Sequence, residues 1–497
     1  MTGETAVGEG QGGPVTDVDV LVIGSGFSGI GMGVALKREG KRSFLILEKA
    51  SDLGGTWRDN RYPGCACDVP SALYSFSFAP NPGWTRAFSP QPEIWEYLRN
   101  VAAREGLTPH FRFDAAIVEA RWDEDVARWR VTAADGRCWS AAVVVAGTGA
   151  LSRPARPDIE GLDSFKGEVL HSAEWRDDVV FEGKRIAVVG TGASAIQIVP
   201  ELAPQAAQLT VFQRSPAWII PKPDREIPQA TRDRFAREPW RQKFWRLFIY
   251  AMLEKNAAAR IYPPLAAETV ASARRLLRRQ VPDPVLRKKL TPTYKLGCKR
   301  LLISVDFYPA LMRDNVELET SPIARVEPDG VVTTDGRKVG TDVLVLATGF
   351  DVTNPQGDPL EVYGRKGLRL KDAWRDGAQA HLGITVAGFP NWFLLMGPNT
   401  GLGHNSMIFM IESQIAYVMS ALRQMDEKAV RALDVRPDVQ AAFVAEMDRR
   451  MQGTVFASGC ASWYIGDKGR NTTVWPGYTF DYRRRTKAIS LSDYVQG

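Results

Sequence analysis

The chain has 497 residues, more than one compact core usually holds, so we expect two or three domains. Its hydrophobic fraction of 44% and charged fraction of 24% are ordinary for a soluble globular protein. The net charge of +6 is small for this length, and we expect no nucleic-acid partner. No apolar run approaches the roughly 18 residues that span a bilayer, and five cysteines imply no disulfide framework. We therefore expect a cytoplasmic protein without a transmembrane segment.

Residues 1–16 are rich in Gly, Thr and Glu, and we expect them to form a disordered leader, because they lack the basic start and apolar core of a signal peptide. The apolar run 19–23 then predicts a buried parallel strand, followed by a helical stretch and a second strand at 43–47. A second strand–helix–strand unit starts at 185–189 and ends near 211–212. Two such units predict an α/β fold with two doubly wound, Rossmann-like dinucleotide-binding domains.

Two further segments, 142–149 and 342–349, resemble each other, since each is a buried strand that ends in a turn of small residues. They are expected to mark the points where the chain crosses between domains, so that the second domain is inserted into the first. The expected division is a first domain of 17–150 and 350–497, a second domain of 151–221 and 296–349, and a separate segment of 222–295.

The segment 222–295 differs from the rest of the chain in composition, because it has no strand pattern and is rich in basic and aromatic residues. It is expected to form a helical insertion in the second domain. Large apolar side chains recur in it at helical spacing, namely Trp240, Phe244, Trp245, Phe248, Ile249 and Met252. Contact with a membrane or another subunit is one interpretation of this stripe, and packing on its own domain is the favoured one. The oligomeric state is left open.

The first nucleotide fingerprint is a G-x-G-x-x-G motif at 24–29, in which Gly24, Gly26, Phe27 and Gly29 are candidate cofactor-binding residues. It follows a strand and opens a helix, so its glycines let the backbone approach a pyrophosphate at the helix N-terminus. Glu48 ends the next strand, where an acid accepts hydrogen bonds from ribose hydroxyls. Its negative charge would repel a 2′-phosphate. The site therefore predicts FAD or NAD rather than NADP.

The second fingerprint has the same pattern but ends in alanine, and its candidate cofactor-binding residues are Gly190, Thr191, Gly192, Ala193 and Ser194. The end of its second strand carries no acid and instead offers Arg214 and Ser215. A guanidinium forks onto phosphate oxygens and a hydroxyl adds a donor, which is how a site selects NADP over NAD. The two fingerprints together predict FAD in the first domain and NADPH in the second.

Residues 165–176 read F-K-G-E-V-L-H-S-A-E-W-R. This segment resembles the signature of Baeyer–Villiger monooxygenases, F-x-G-x-x-x-H-x-x-x-W followed by Pro or Asp. The match is complete through Trp175, whereas Arg176 stands at the following position and Asp177 comes after it. Related flavin monooxygenases that oxidise nitrogen or sulfur usually carry Tyr in place of Trp175. We interpret His171 as a hinge or supporting residue rather than a catalytic base.

The resemblance covers nearly the whole chain. It extends to a first flavin loop at 54–57, 60–64 and Asp68, a stretch with the family's active-site arginine at 298–300, a second flavin loop at 396–405, and a C-terminal wall at 462–464 and 469–472. In the first loop and after it, Thr56, Trp57, Asp68 and Tyr74 are the expected cofactor-binding residues.

The resemblance also implies a mechanism. In this family NADPH reduces the flavin, the reduced flavin captures O2 as a C4a-peroxide, and the peroxide attacks a ketone carbonyl to give an ester or lactone. Arg300 is the candidate for stabilising the peroxyanion, and Asp68 for orienting Arg300, so both are assigned as catalytic. Lys299 is expected to reach the 2′-phosphate. Trp463 is expected to pack against the nicotinamide ribose.

Two other functions remain open at this stage. One is a flavin monooxygenase that oxidises thioether sulfur or amine nitrogen, which uses the protonated hydroperoxide and does not require Arg300. The other is a flavin-binding redox sensor without turnover, which the complete NADP fingerprint disfavours. The expected partners are a small-molecule ketone or sulfide and O2. No metal site is expected, because the four histidines are scattered along the chain.

Overall fold

A computed structural model describes residues 15–351, 360–457, 459, 464–465 and 469–497. The first strand already begins at Val15, so the expected leader of 1–16 is wrong at its end, and residues 1–14 lie outside the described ranges. The strand is longer than its apolar run because Val15 to Val18 pair in parallel with residues 138–141. This pairing partner is distant in sequence, so the local pattern does not reveal it.

The strands are, in chain order, β1 (Val15–Ile23), β2 (Phe44–Leu47), β3 (Phe111–Arg112), β4 (Ile117–Asp123), β5 (Arg128–Ala133), β6 (Cys138–Ala146), β7 (Glu168–His171), β8 (Arg185–Val189), β9 (Gln208–Phe212), β10 (Ile219–Ile220), β11 (Leu302–Ile303), β12 (Val316–Glu319), β13 (Ile323–Glu327), β14 (Gly330–Thr333), β15 (Lys338–Gly340), β16 (Val343–Leu346), β17 (Glu361–Tyr363), β18 (Trp392–Leu394), β19 (Leu433–Val435) and β20 (Tyr494–Gln496).

The α-helices are α1 (Phe27–Glu39), α2 (Thr56–Asp59), α3 (Gln91–Arg104), α4 (Ala195–Leu202), α5 (Gln229–Arg237), α6 (Pro239–Ile261), α7 (Ala267–Gln280), α8 (Pro284–Lys289), α9 (Phe307–Leu311), α10 (Leu370–Ala373), α11 (Met407–Lys428), α12 (Pro437–Met451) and α13 (Thr479–Arg485).

The first large sheet has the strand order β17-β4-β5-β6-β1-β2-β3, and β18 also pairs with β6. Its centre is parallel, with Ile23 opposite Leu47 on one side and Ala146 on the other. The carboxyl ends of β1 and β2 therefore lie side by side, which places the first fingerprint next to Glu48. Strands β17 and β18 come from late in the chain, so both ends of the sequence build this sheet.

The second sheet has the order β12-β9-β8-β16-β7 and is parallel throughout. All of its strands lie between Glu168 and Leu346, inside the span that separates the two parts of the first sheet. The fold is thus the predicted α/β arrangement of two doubly wound domains, with the second inserted into the first. Val189 pairs with Phe212, which places the second fingerprint beside the segment that carries Arg214.

The helical insertion is confirmed, because α5, α6, α7 and α8 follow one another between β10 and β11. Helix α6 is the longest helix described, and its first half carries the predicted aromatic stripe. The favoured interpretation of this stripe is wrong: Trp240, Phe244, Trp245, Phe248 and Met252 are exposed, and among the stripe residues Ile249 alone is buried. Within the described ranges, no helix has the length and apolarity that crossing a membrane requires.

Candidate active site

The first fingerprint forms a tight turn between β1 and α1. Gly24 has a φ of +98°, and the Gly24 amide donates to the Leu47 carbonyl at 2.7 Å. Glu48 is buried, and its Oε2 accepts from the Ser25 amide at 3.0 Å and from the Ser25 hydroxyl at 2.6 Å. Its Oε1 lies 3.0 Å from Nη1 of Arg58. Glu48 therefore stands at the predicted place and also holds the fingerprint loop itself.

The first flavin loop packs directly on this turn. The Gly54 amide donates to the Ser25 carbonyl at 3.0 Å, and Gly55 has a φ of +52°. Thr56 and Trp57 open the short helix α2, which follows these glycines. The Trp57 indole N–H donates to the Tyr74 hydroxyl at 2.9 Å, and the two rings meet edge to face at 5.5 Å.

Tyr74 also contacts Phe27 of the fingerprint, with ring centroids 5.2 Å apart. Burial raises the pKa of Tyr74 well above its usual value, so the Tyr74 hydroxyl is a neutral hydrogen-bonding group. The structure thus brings Phe27, Trp57 and Tyr74 into contact beside the first fingerprint.

The second fingerprint is more exposed than the first. Gly190 has a φ of +116°, and its amide donates to the Phe212 carbonyl at 3.0 Å. A Cβ added at Gly192 would meet no atom within 4 Å, so the loop presents open backbone to the solvent. The Thr191 hydroxyl donates to the Ser215 carbonyl at 3.1 Å, which ties this loop to the strand end. Ala193 and Ser194 complete the turn into α4.

Three polar side chains meet at that strand end. The Lys299 ammonium donates to the Ser215 hydroxyl at 3.0 Å, although the two residues are 84 positions apart in sequence. Burial and the nearby positive charge of Arg214 both lower the pKa of Lys299. Two cations that lie close enough to repel each other beside a hydroxyl form a site suited to a dianionic phosphate.

Arg300 and Asp68 form an ion pair across the two halves of the molecule. The Arg300 Nε donates to Asp68 Oδ2 at 3.1 Å, and Nη2 donates to the same oxygen. The side chains remain 36% and 31% exposed, so both also face open space. Burial opposes ionisation of Asp68, but the charge and hydrogen bonds of Arg300 outweigh it and lower the pKa of Asp68. Asp68 in turn raises the pKa of Arg300, which stays cationic at every working pH.

Two further residues belong to this cluster: Tyr464, which the family resemblance places in the C-terminal wall, and Arg260, which the sequence did not single out. Tyr464 is buried, which raises its pKa, while the positive charges of Arg300 and Arg260 act in the opposite direction. Arg260 at the end of α6 is also buried, and burial lowers its pKa to about 10. Helical spacing could have found Arg260, because it continues the inward line of Ile249 and Ala257.

The signature segment supports the second sheet rather than the ion-pair cluster. His171 ends β7, is buried, and its Nδ1 lies 3.1 Å from the Ala173 amide. Burial lowers the pKa of His171, so the ring is neutral at pH 7. Trp175 is buried and stacks on Phe181 with centroids 5.4 Å apart. The predicted nicotinamide contact, Trp463, lies outside the described residues.

Comparison with known proteins relates the whole chain to one family. Residues 17–261 match the family model described as flavin-binding monooxygenase-like. A Baeyer–Villiger monooxygenase of Pseudomonas aeruginosa is 46% identical over 478 residues, which cover 96% of this chain and 90% of the relative. A Baeyer–Villiger monooxygenase of Streptomyces coelicolor is 47% identical, with coverages of 96% and 92%.

Solved structures agree with these relatives. Oxidised steroid monooxygenase bound to NADP superposes with a TM-score of 0.85 at 33% identity, covering 95% of this chain and 97% of that one. Cyclohexanone monooxygenase from Rhodococcus sp. Phi1 bound to NADP+ gives a TM-score of 0.86 at 30% identity, with the same coverages. The chain belongs to the Baeyer–Villiger monooxygenase family.

Proposed function

We propose that this enzyme inserts one oxygen atom of O2 next to a ketone carbonyl, giving an ester or lactone, and that it uses FAD and consumes NADPH. One observation carries the proposal. Two consecutive residues face two different sites: Lys299 reaches Ser215 beside the second fingerprint, and Arg300 reaches Asp68, which follows the first flavin loop. The segment 299–300 thus contacts both nucleotide sites, and Arg300 in this segment carries a permanent positive charge.

The residues around the first fingerprint fit FAD. A Cβ added at Gly26 would meet no protein atom nearer than 3.8 Å, so the backbone there is open to a close ligand. Glu48 lies at the adjacent strand end and carries the charge that disfavours a 2′-phosphate. We assign FAD to residues 17–150 and 350–497, with contacts from the fingerprint, Glu48, Thr56, Trp57, Asp68 and Tyr74.

We assign NADPH to residues 151–221 and 296–349, with 222–295 as the helical insertion. Arg214, Ser215 and Lys299 are the proposed partners of the 2′-phosphate, because their charges and hydroxyl meet at one place. The second fingerprint is the proposed pyrophosphate site. A cytoplasmic location is part of the same proposal.

Bound FAD, once reduced by NADPH, supplies the activation of O2. The chain itself must then stabilise negative charge on the oxygen that attacks the carbonyl and on the carbonyl oxygen after attack. We assign this role to Arg300, because a cation held in place before the reaction needs no reorganisation when the charge develops. Asp68 is assigned as its positioning residue, since it fixes the guanidinium through two donors on one oxygen.

The test replaces Arg300 with alanine and compares NADPH oxidation with ester yield from a ketone. Arg300→Ala is expected to keep its FAD and to oxidise NADPH, because the proposed 2′-phosphate contacts are untouched. Ester yield is expected to fall by at least about 10²- to 10³-fold, the usual cost of losing one preorganised electrostatic contact. The electrons should then appear as hydrogen peroxide.

Arg313→Ala is the matched control, since Arg313 is an exposed arginine of the same stretch of chain. It should leave the ratio of ester to NADPH at the wild-type value. If Arg300→Ala also kept that ratio, the role proposed for Arg300 would be wrong. If Arg300→Ala lost ketone oxidation but kept thioether oxidation, the role proposed for Arg300 would be supported, because sulfur oxidation does not require the cation.

A further inference from the structure

The first half of α6 exposes large apolar side chains along one side. We name Trp240, Phe244, Leu247, Phe248 and Met252 the outer face of α6, and each of these side chains is between 46% and 69% exposed. Trp245 stacks on Phe248 at 5.3 Å and widens the apolar surface. Isolated exposed apolar residues are normal, but a contiguous group marks a binding surface.

The opposite side of α6 is anchored to the protein through polar residues as well as through the buried Ile249 and Ala257. The Gln242 amide donates to the Asn81 carbonyl at 2.6 Å, and Arg246 Nη1 donates to the Ala72 carbonyl and the Ser75 hydroxyl, both at 3.0 Å. The helix therefore buries several polar residues and exposes its largest aromatic residues, unlike an ordinary surface helix, whose large apolar residues face the core. These hydrogen bonds fix the rotation of α6, so the outer face cannot turn into the core.

Further along the same helix, the buried Glu254 carboxylate accepts from the Asn405 amide at 2.6 Å and from the Thr479 hydroxyl at 2.7 Å. Arg260 donates to the Gly403 carbonyl. Anchoring thus continues to the end of the helix and ties it to the first domain. The outer face is a fixed feature of the folded molecule.

The insertion that carries the outer face is strongly basic. Residues 222–295 contain 18 Lys and Arg against 7 Asp and Glu, a net charge of +11, whereas the whole chain carries only +6. Lys243 and Lys255 lie exposed on α6 itself, and α7 adds four exposed arginines in its second half. Within the described ranges, no ion pair neutralises Lys243 or Lys255.

We propose that the outer face of α6 docks on an anionic lipid surface. Aromatic side chains favour the boundary between headgroups and acyl chains, and lysine and arginine around them are attracted to anionic lipids. A second copy of the chain fits less well, because a symmetric interface through the same face would bring two insertions of charge +11 together.

The test is flotation of the full-length, flavin-loaded protein with large unilamellar vesicles. One set contains phosphatidylcholine alone, and the other contains equal parts of phosphatidylcholine and phosphatidylglycerol. The wild-type protein is expected to float with the anionic vesicles, and raised salt should weaken this binding because it screens exposed charges. Phosphatidylcholine vesicles should bind it far less.

Two variants separate the contribution of the apolar side chains to vesicle binding from that of the positive charges. Trp240→Ser/Phe244→Ser/Phe248→Ser is expected to lower the partition coefficient by at least about tenfold, because it removes the apolar surface. Lys243→Gln/Lys255→Gln should lower it by about fivefold for each charge removed. Val180→Ser is the matched control, since Val180 is equally exposed but lies outside the insertion, and it should bind as the wild type does.

FAD content and NADPH oxidation with a water-soluble ketone should stay at wild-type values in all three variants, which shows that they are folded. Equal binding of the wild type and the triple serine variant to anionic vesicles would overturn the proposal. So would a wild-type protein that ignores these vesicles but changes from dimer to monomer on triple substitution, since the outer face would then be a subunit interface.

Discussion

Gly26 and Gly29 lie in the same turn but are glycines for different reasons. A Cβ at Gly29 would lie 1.8 Å from the Gly24 carbonyl oxygen, so the fold itself excludes any side chain there. At Gly26 the nearest protein atoms would be 3.8 Å away, and its φ of −78° suits any residue. The protein itself therefore leaves room for a Cβ at Gly26, whereas a ligand that approaches this backbone closely would collide with it.

This difference predicts the behaviour of two variants. Gly26→Leu should fold with the stability of the wild-type apoprotein but lose FAD, because the side chain occupies the approach to the pyrophosphate. Gly29→Ala should lower the melting temperature of the apoprotein as well, because the added Cβ meets backbone. Flavin absorbance and thermal unfolding after removal of FAD measure the two effects. Full flavin content in Gly26→Leu would place FAD elsewhere.

Arg214 predicts the coenzyme preference of the enzyme. Arg214→Ala should lower kcat/KM for NADPH by about ten- to a hundredfold, the cost of one charge-assisted phosphate contact of about 1.5–3 kcal/mol. The value for NADH should hardly change, because NADH has no 2′-phosphate. Steady-state kinetics with both coenzymes give the ratio, and Arg313→Ala serves as the control. Undiminished discrimination in Arg214→Ala would contradict the assignment.

At the scale of single elements, the sequence located the central strands of the two nucleotide units, β1, β2, β6, β8, β9 and β16, because they are continuous apolar runs, whereas it did not locate the short and peripheral strands. Strands β8 and β16 lie within a residue or so of their predicted positions. The sequence also predicted α6 as a helix but not its orientation. Periodicity shows that aromatic residues share a face, yet it does not show whether that face meets protein. The orientation is set by Gln242, Arg246 and Glu254, whose partners are far away in the chain.

The hydrogen bonds of Glu254 are expected to contribute to the anchoring of α6. Glu254→Gln should destabilise the protein by about 2 kcal/mol at pH 7, because Oε1 accepts from Asn405 and from the Thr479 hydroxyl while Oε2 accepts from the Thr479 backbone amide, and an amide has only one oxygen to accept with. Urea unfolding measures the loss. Glu268→Gln on α7 is the control, since Glu268 is exposed.

The destabilisation caused by Glu254→Gln should depend on pH. Burial opposes ionisation of Glu254, but the His404 ring 3.5 Å away and the hydrogen bonds from Thr479 and Asn405 outweigh it and lower the pKa of Glu254. A carboxyl whose pKa is lowered by folding stabilises the folded state above its unfolded pKa, about 4.3, and loses this effect as the pH falls through its folded pKa. The gap between wild type and Glu254→Gln should therefore shrink below about pH 4. A constant gap would mean that Glu254 acts by packing alone.

For the whole molecule, the sequence predicted two nucleotide units because glycine fingerprints and charged strand ends are local signals. It predicted the Asp68–Arg300 pair through family resemblance alone, since 232 positions separate the two residues. The resemblance also places Tyr464 in the active-site wall, whereas Arg260 was missed: its helical spacing shows that it faces inward, but its proximity to Arg300 arises only where α6 meets the 298–300 segment. Contacts between residues that are far apart in the chain produce no periodic pattern in the sequence.

Many such contacts join the two sheets and their helices. Gln197 of α4 accepts from the Tyr62 hydroxyl and donates to the Ala66 carbonyl, both at 3.0 Å, and Arg86 pairs with Asp224 at 2.9 Å. With Asp68–Arg300 and the anchors of α6, these links spread over the whole boundary. We therefore expect the described units to unfold together rather than one by one.

The response of thermal stability to NADP+ tests this cooperativity. At a concentration 100 times its Kd, NADP+ stabilises the folded state by about 2.7 kcal/mol. The resulting shift in Tm is this energy divided by the unfolding entropy, which grows with the number of residues that unfold together. Unfolding of the entire chain as one unit predicts a shift of about 3 °C, whereas separate unfolding of the NADPH unit alone predicts about 10 °C.

Differential scanning calorimetry of the FAD-loaded enzyme should show one transition with the smaller shift. Two transitions, of which only one moves with NADP+, would mean that the contacts across the boundary do not couple the two units.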